Sequence, residues 1–212
     1  VGVVLDLMTH DIDVIPSLGR APVVRVEALG TAVLSQHEDL VSARLQFASG
    51  AVAHLTASRV SYQMDRSMQL FTARRFATVD YAAREATLVE PSEAVLRREV
   101  DFTHRAGVDA APLRQRLFTD YLIKKTPQIA EVNAIEQEQR DFSKAIATGG
   151  QPEVTGADGR DAVAVAEQIL EKISTHQWDG LPDGRVGLAA EAPLLAPALP
   201  FAPQEPPRRK AG

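Results

Sequence analysis

The chain has 212 residues, 45% of them hydrophobic and 24% charged, a composition that suits one substantial globular domain with a tail. Its formal net charge is −5, which argues against a nucleic-acid partner, and its one terminal basic cluster, Arg208-Arg209-Lys210, lies in a proline-rich stretch. It has no cysteine, which excludes disulfides and thiolate chemistry, and no apolar run approaches a membrane span, so a cytoplasmic protein without membrane contact is expected.

The chain opens on Val3-Val4-Leu5-Asp6-Leu7-Met8-Thr9-His10-Asp11-Ile12-Asp13. The β-branched run predicts a strand ending near Leu5, followed by a helix from about Met8 that Pro16 and Gly19 end or bend. Asp6 and His10 would then sit together at the end of a sheet. From Pro22 to about Val100 the texture is that of strands. Val23–Val33 is rich in β-branched residues, and Ala43–Phe47 alternates with period two. Ala48-Ser49-Gly50 is a turn signal, and Ala51–Val60 is the partner strand. In that partner Val52, His54, Thr56 and Ser58 face one way, and Ala53, Leu55, Ala57 and Arg59 the other. Ser67–Thr72, Ala77–Tyr81, Thr87–Glu90 and Val95–Val100 continue as shorter strands, giving one meandering antiparallel sheet of roughly five to seven strands.

Residues 103–130 read as loop with one short helix. Two helices follow. In Glu131–Thr148 the residues Ile135, Phe142 and Ile146 form a core stripe, and Gly149-Gly150 ends it. In Ala157–His176 the core stripe is Val163, Ala166, Ile169, Leu170 and Ile173, with Asp158 as a first-turn or capping residue. The fold class is therefore α+β: a predominantly antiparallel open sheet with helices packed on one face. One domain covers 1–178, and 179–212 is a Pro/Ala-rich tail expected to be disordered. There is no internal repeat and no Gly-x-Gly-x-x-Gly dinucleotide fingerprint.

Histidine is the side chain best suited to move a proton near neutral pH, and a carboxylate one turn away can orient it. His10 and Asp6 are accordingly the candidate catalytic pair. Asp6, His10, Asp11 and Asp13 are also metal-ligand types, but Asp11 and Asp13 diverge on a helix, so no metal site is expected. His54 reads as a half-buried sheet residue. Arg59 and Lys124-Lys125 could meet a diphosphate, but each is better explained as part of a solvated face.

Four blocks in order carry a family resemblance: residues 2–13; Ala43–Ala53 continued by Leu55-Thr56-Ala57-Ser58-Arg59-Val60-Ser61; Glu138–Gly149; and Gly156–Ala162. Together they resemble the C-terminal portion of the Gfo/Idh/MocA family of NAD(P)-dependent sugar oxidoreductases, over roughly residues 1–176. The resemblance implies a C-terminal domain like that of dihydrodipicolinate reductase, with a Rossmann domain absent from this chain that would bind NAD or NADP and contribute a lysine. It implies that His10 is the catalytic histidine and Asp6 the acid one turn before it. Asp6, His10 and Thr9 would contact the substrate, and the cofactor contacts would lie in the missing domain. The wording of residues 6–13 and 55–61 is similar to the branch that oxidises nucleotide-linked amino sugars, such as UDP-N-acetylglucosamine at its 3-hydroxyl. The resemblance also implies a homodimer or homotetramer formed through the open sheet face, which a second subunit would cover. As given, the chain is expected to be a truncation, inactive alone. The competing expectation is a catalytically silent oligomerisation or binding module.

Overall fold

Val41, Ala43, Leu45 and Phe47 alternate with more polar neighbours, and all four are buried. That pattern fixes one face of a strand towards a core. In the computed structural model, which describes residues 1–19, 21–100, 115–130, 132–179, 181 and 183–188, this strand is β2 (Leu40–Phe47), central in a sheet with β1 (Val23–Thr31) and β3 (Val52–Ser58). Both pairings are antiparallel, with Arg44 opposite Glu27 on one side and His54 on the other. Leu55 and Ala57 of β3 turn to the core, while Val52, His54 and Thr56 are exposed, the facing expected from the alternation.

The architecture is α+β with open antiparallel sheets, but the strands form two sheets and not one. They belong to two compact units. The first unit comprises 1–61 and 151–212. Its sheet is covered on one face by α1 (Thr9–Gly19), by the segment before it, and by the last helix, Gly156–Thr175. The chain start departs from expectation: Val4–Met8 is a turn of π-helix running straight into α1, not the end of a strand. A valine-rich run suits either conformation. What decides it is that Val4, Met8 and Ile12, spaced by four, are all fully buried, which continues the helical period back to Val4. Each such side chain contributes about 1.5–3 kcal/mol by burial.

The last helix buries Ala162, Val165, Ala166, Ile169 and Ile173, with Leu170 partly buried. Val163 is exposed, a correction to the expected stripe, because the buried row runs through Ala162 and Ala166. Its start is a capping box: the Thr155 hydroxyl accepts from Asp158 N–H, and the Asp158 carboxylate accepts from Thr155 N–H. Past Trp178 the chain stays folded. Gln177 bridges Val186, and Trp178 Nε1 donates to the Gly187 carbonyl at 2.7 Å. The boundary expected at 178 lies beside this pairing, and residues 180, 182 and 189 onward lie outside the described residues.

The second unit spans 62–150. Strands β4 (Ser67–Thr72), β5 (Arg75–Asp80), β6 (Glu85–Pro91) and β7 (Leu122–Lys125) pair in that order, all antiparallel. β7 and the π-helical turn Leu117–Tyr121 lie where loop with one short helix was expected. The strand expected over Val95–Val100 is instead a short helix, α2 (Glu93–Leu96), after which Arg98 takes a left-handed conformation. Residues 101–114 lie outside the described set. Helix α3 (Ala134–Thr148) is capped by Asn133, whose side chain accepts from Ile135 and Glu136 N–H, and ends on left-handed Gly149. Its expected core stripe is not core: Ile135, Phe142 and Ile146 are 68%, 59% and 68% exposed. Among the described residues of this unit, only Tyr121 and Ala145 are buried apolar side chains.

Candidate active site

Val4, Met8 and Ile12 lock one side of the first helical segment into the core, so the residues two positions away face outward. Asp6 and His10 are both exposed there, on the π-turn and in the first turn of α1. Thr9 lies between them, and its hydroxyl donates to the Leu5 carbonyl at 3.0 Å. That uses its one proton within the helix and leaves its lone pairs for an incoming donor. The three expected site residues are therefore neighbours on one helical segment. The Asp6 carboxylate accepts from Arg59 Nη2 at 3.4 Å, and among the described residues no hydrogen bond joins it to His10.

The start of this helix is held by the loop between β1 and β2. Val3 N–H donates to the Glu38 backbone carbonyl at 3.0 Å, and Val4 N–H to Glu38 Oε1 at 3.2 Å. Glu38 is almost wholly buried. It reaches the helix start because residue 2 is glycine: a Cβ at Gly2 would lie 1.8 Å from Glu38 Oε1. A carboxylate here satisfies an orphan donor of the first turn and complements the helix dipole.

Asp39 is fully buried. Its Oδ2 accepts from the N–H groups of Val33, Leu34 and Ser35 at 2.8, 2.6 and 3.0 Å, and Oδ1 accepts from the Ser35 hydroxyl at 3.1 Å. The backbone donors of Leu34 and Val33 hold its carboxyl at about 2, with Ser35 assisting against the opposing effect of burial. Arg59 Nε lies 3.7 Å from Asp39 Oδ1. Residues 38, 39 and 59 were not singled out as a group by sequence pattern. The available signal was the pair of adjacent acids abutting the apolar alternation of β2, since a buried acid nearly always has partners. Arg59 is not simply part of a solvated face, as expected, but a bridge between two carboxylates. Of the other diphosphate candidates, Lys125 donates to Glu90 at 2.6 Å and Lys124 is exposed.

The described residues form no Rossmann-type dinucleotide crevice. Every strand pair among them is antiparallel, whereas the dinucleotide crevice opens at the carboxyl ends of parallel strands. No group of three or more His, Asp or Glu placed to hold a metal ion occurs among the described residues, and no helix among them is long and apolar enough to cross a membrane.

Residues 1–75 match the family model described as the GFO/IDH/MocA C-terminal domain. The chain is 30% identical over 169 residues to a UDP-N-acetylglucosamine 3-dehydrogenase of Acidithiobacillus ferrooxidans, covering 80% of this chain and 48% of that protein. A solved structure of that dehydrogenase superposes with a TM-score of 0.66 at 27% identity, over 81% of this chain and 49% of the other. A levoglucosan dehydrogenase in complex with NADH shares the fold, with a TM-score of 0.58 at 19% identity over 79% of this chain and 46% of that one. The chain spans about half the length of the curated relative it matches. On these matches, residues 1–75 carry the GFO/IDH/MocA C-terminal domain, and the chain over 80% of its length is similar to a UDP-N-acetylglucosamine 3-dehydrogenase.

Proposed function

We propose that this chain is the substrate-binding and catalytic half of an NAD(P)-dependent oxidoreductase that oxidises a secondary hydroxyl of a sugar. The substrate we favour is a nucleotide-linked amino sugar, UDP-N-acetylglucosamine at its 3-hydroxyl. The observation that carries the reading is the outward-facing His10 and Asp6 on a helix whose opposite side is fixed in the core. Similarity to a UDP-N-acetylglucosamine 3-dehydrogenase supports the choice of sugar. NAD or NADP, held by residues outside this set, supplies the hydride acceptor. His10 takes the hydroxyl proton, and Asp6 accepts a hydrogen bond from a substrate hydroxyl. We take the cytoplasm as its location, as part of the same reading. The test is to express the entire reading frame that contains this chain and follow nicotinamide reduction with UDP-N-acetylglucosamine, UDP-glucose and free N-acetylglucosamine. Reduction with the UDP-linked amino sugar is expected; reduction with none of the three would remove the reading.

The second reading, an oligomerisation module, draws on a specific observation. The outer face of the first sheet mixes polar groups, with Arg44 and Arg25 both paired to Glu27, and the exposed apolar side chains Leu29, Leu40 and Val52. The second unit is different: its described residues bury almost nothing apolar, while Phe71, Phe118 and Phe142 are exposed. A small sheet of this kind needs cover. A homodimer or homotetramer through an open sheet face is therefore part of the proposal, with the second unit as the face we favour. Sedimentation is expected to return a dimer or larger, and Phe71→Asp with Phe142→Asp to shift it to monomer. A wild-type chain that stays monomeric at high concentration would exclude this assembly.

A further inference from the structure

Arg59 stands just beyond β3, and its guanidinium reaches three acceptors from separate parts of the chain. Nη2 donates to the Val1 carbonyl at 2.8 Å and to Asp6 Oδ2 at 3.4 Å, while Nε faces Asp39 Oδ1 at 3.7 Å. Its backbone N–H also donates to the Asp39 carbonyl, at 3.0 Å. Asp39 grips the arginine from both its main chain and its side chain, and Asp39 is itself immobilised by three backbone donors and a hydroxyl. The side chain of Asp6, by contrast, is 59% exposed, and unaided it would sample several rotamers. The arginine side chain, 31% exposed, thus has Nε towards Asp39 and Nη2 towards Asp6.

We propose that Arg59, anchored on Asp39, is a positioning residue: it fixes the Asp6 carboxylate and the first turn of the helix carrying His10. One Asp6 oxygen faces Arg59, and the other is presented outward to accept a substrate hydroxyl. Its substrate part rests on the oxidoreductase reading; its mechanical part does not. Only a planar fork can span these acceptors, so lysine is a poor substitute although it keeps the charge.

The test has two arms. In the first, amide hydrogen exchange is measured on the 212-residue chain, wild type and Arg59→Gln. Exchange at residues 5–10 is expected to quicken by about tenfold or more, with Ile169 in the last helix unchanged. Unchanged exchange at 5–10, or an equal rise at Ile169, overturns the proposal. In the second, kcat/KM is measured for Arg59→Gln and Arg59→Lys in the active oxidoreductase, each with Asp6 intact and with Asp6→Asn. Arg59→Gln is expected to cost about 10- to 100-fold with Asp6 present and less than about threefold without it, and Arg59→Lys to restore only a minor part. Equal losses in the two backgrounds mean that Arg59 does not act through Asp6 and overturn the proposal. If the wild-type protein oxidises no sugar, the oxidoreductase reading falls alone, and the exchange arm still decides the clamp.

Discussion

His10→Ala in the oxidoreductase carrying this domain is expected to lower kcat roughly 100- to 10,000-fold, the range for losing a positioned general base. Dinucleotide affinity is expected to stay within about twofold, because no described residue forms a dinucleotide crevice. Fold stability should change little: the His10 side chain is exposed and lies opposite the buried row Val4, Met8 and Ile12. Steady-state kinetics, dinucleotide titration and a thermal melt check the three parts together. A comparable loss of cofactor binding, or a large fall in Tm, would show that His10 supports the structure and does not move the proton. The absence of a hydrogen bond from Asp6 sharpens the result. His10 is not tied to a carboxylate partner within these residues, so Asp6→Asn should act mainly on KM for the sugar and His10→Ala mainly on kcat.

Asp39→Ala is expected to be the most damaging single change to the fold, lowering Tm by on the order of 10 °C. It strands the N–H groups of Val33, Leu34 and Ser35 and removes the anion that anchors Arg59. The same carboxylate should govern acid stability. Its folded value, about 2, lies below the unfolded value near 4, so its contribution is complete above about pH 4 and lost as pH falls through about 2. Asp179, held at about 2 by the Arg185 guanidinium and backbone N–H, titrates in the same window. Between pH 4 and pH 2 the Tm of the wild type should therefore drop more steeply than that of Asp39→Asn, and Asp179→Asn should remove a separate part of the slope. Parallel Tm curves for wild type and Asp39→Asn would assign the acid transition to other groups.

The β2–β3 hairpin was legible because one of its faces is a core: Val41, Ala43, Leu45 and Phe47 must alternate, and Leu55 and Ala57 answer them. The helix caps at Asp158 and Gly149 were legible for a similar reason, since each residue type has a local task. The opening segment was misread as strand because two adjacent valines carry no period of their own; only their spacing to Met8 and Ile12 does. In α3 the stripe of Ile135, Phe142 and Ile146 shows that the helix is amphipathic, but periodicity does not say what covers a face. Of the candidate site, Asp6, Thr9 and His10 were visible as a short motif. Their support was not, because the partners of Asp39 are main-chain donors, which every residue carries.

The Glu38 cap has a consequence for transplanting this site. The helix bearing Asp6 and His10 begins on a side chain 34 positions away and has room for it only because residue 2 lacks a Cβ. Grafting residues 3–13 onto another scaffold would move the acid and the base without the carboxylate that starts their helix or the arginine that holds the acid. The smallest portable unit runs from Val1 through Arg59, and a relative that lost Gly2 would have to replace Glu38 in the same step.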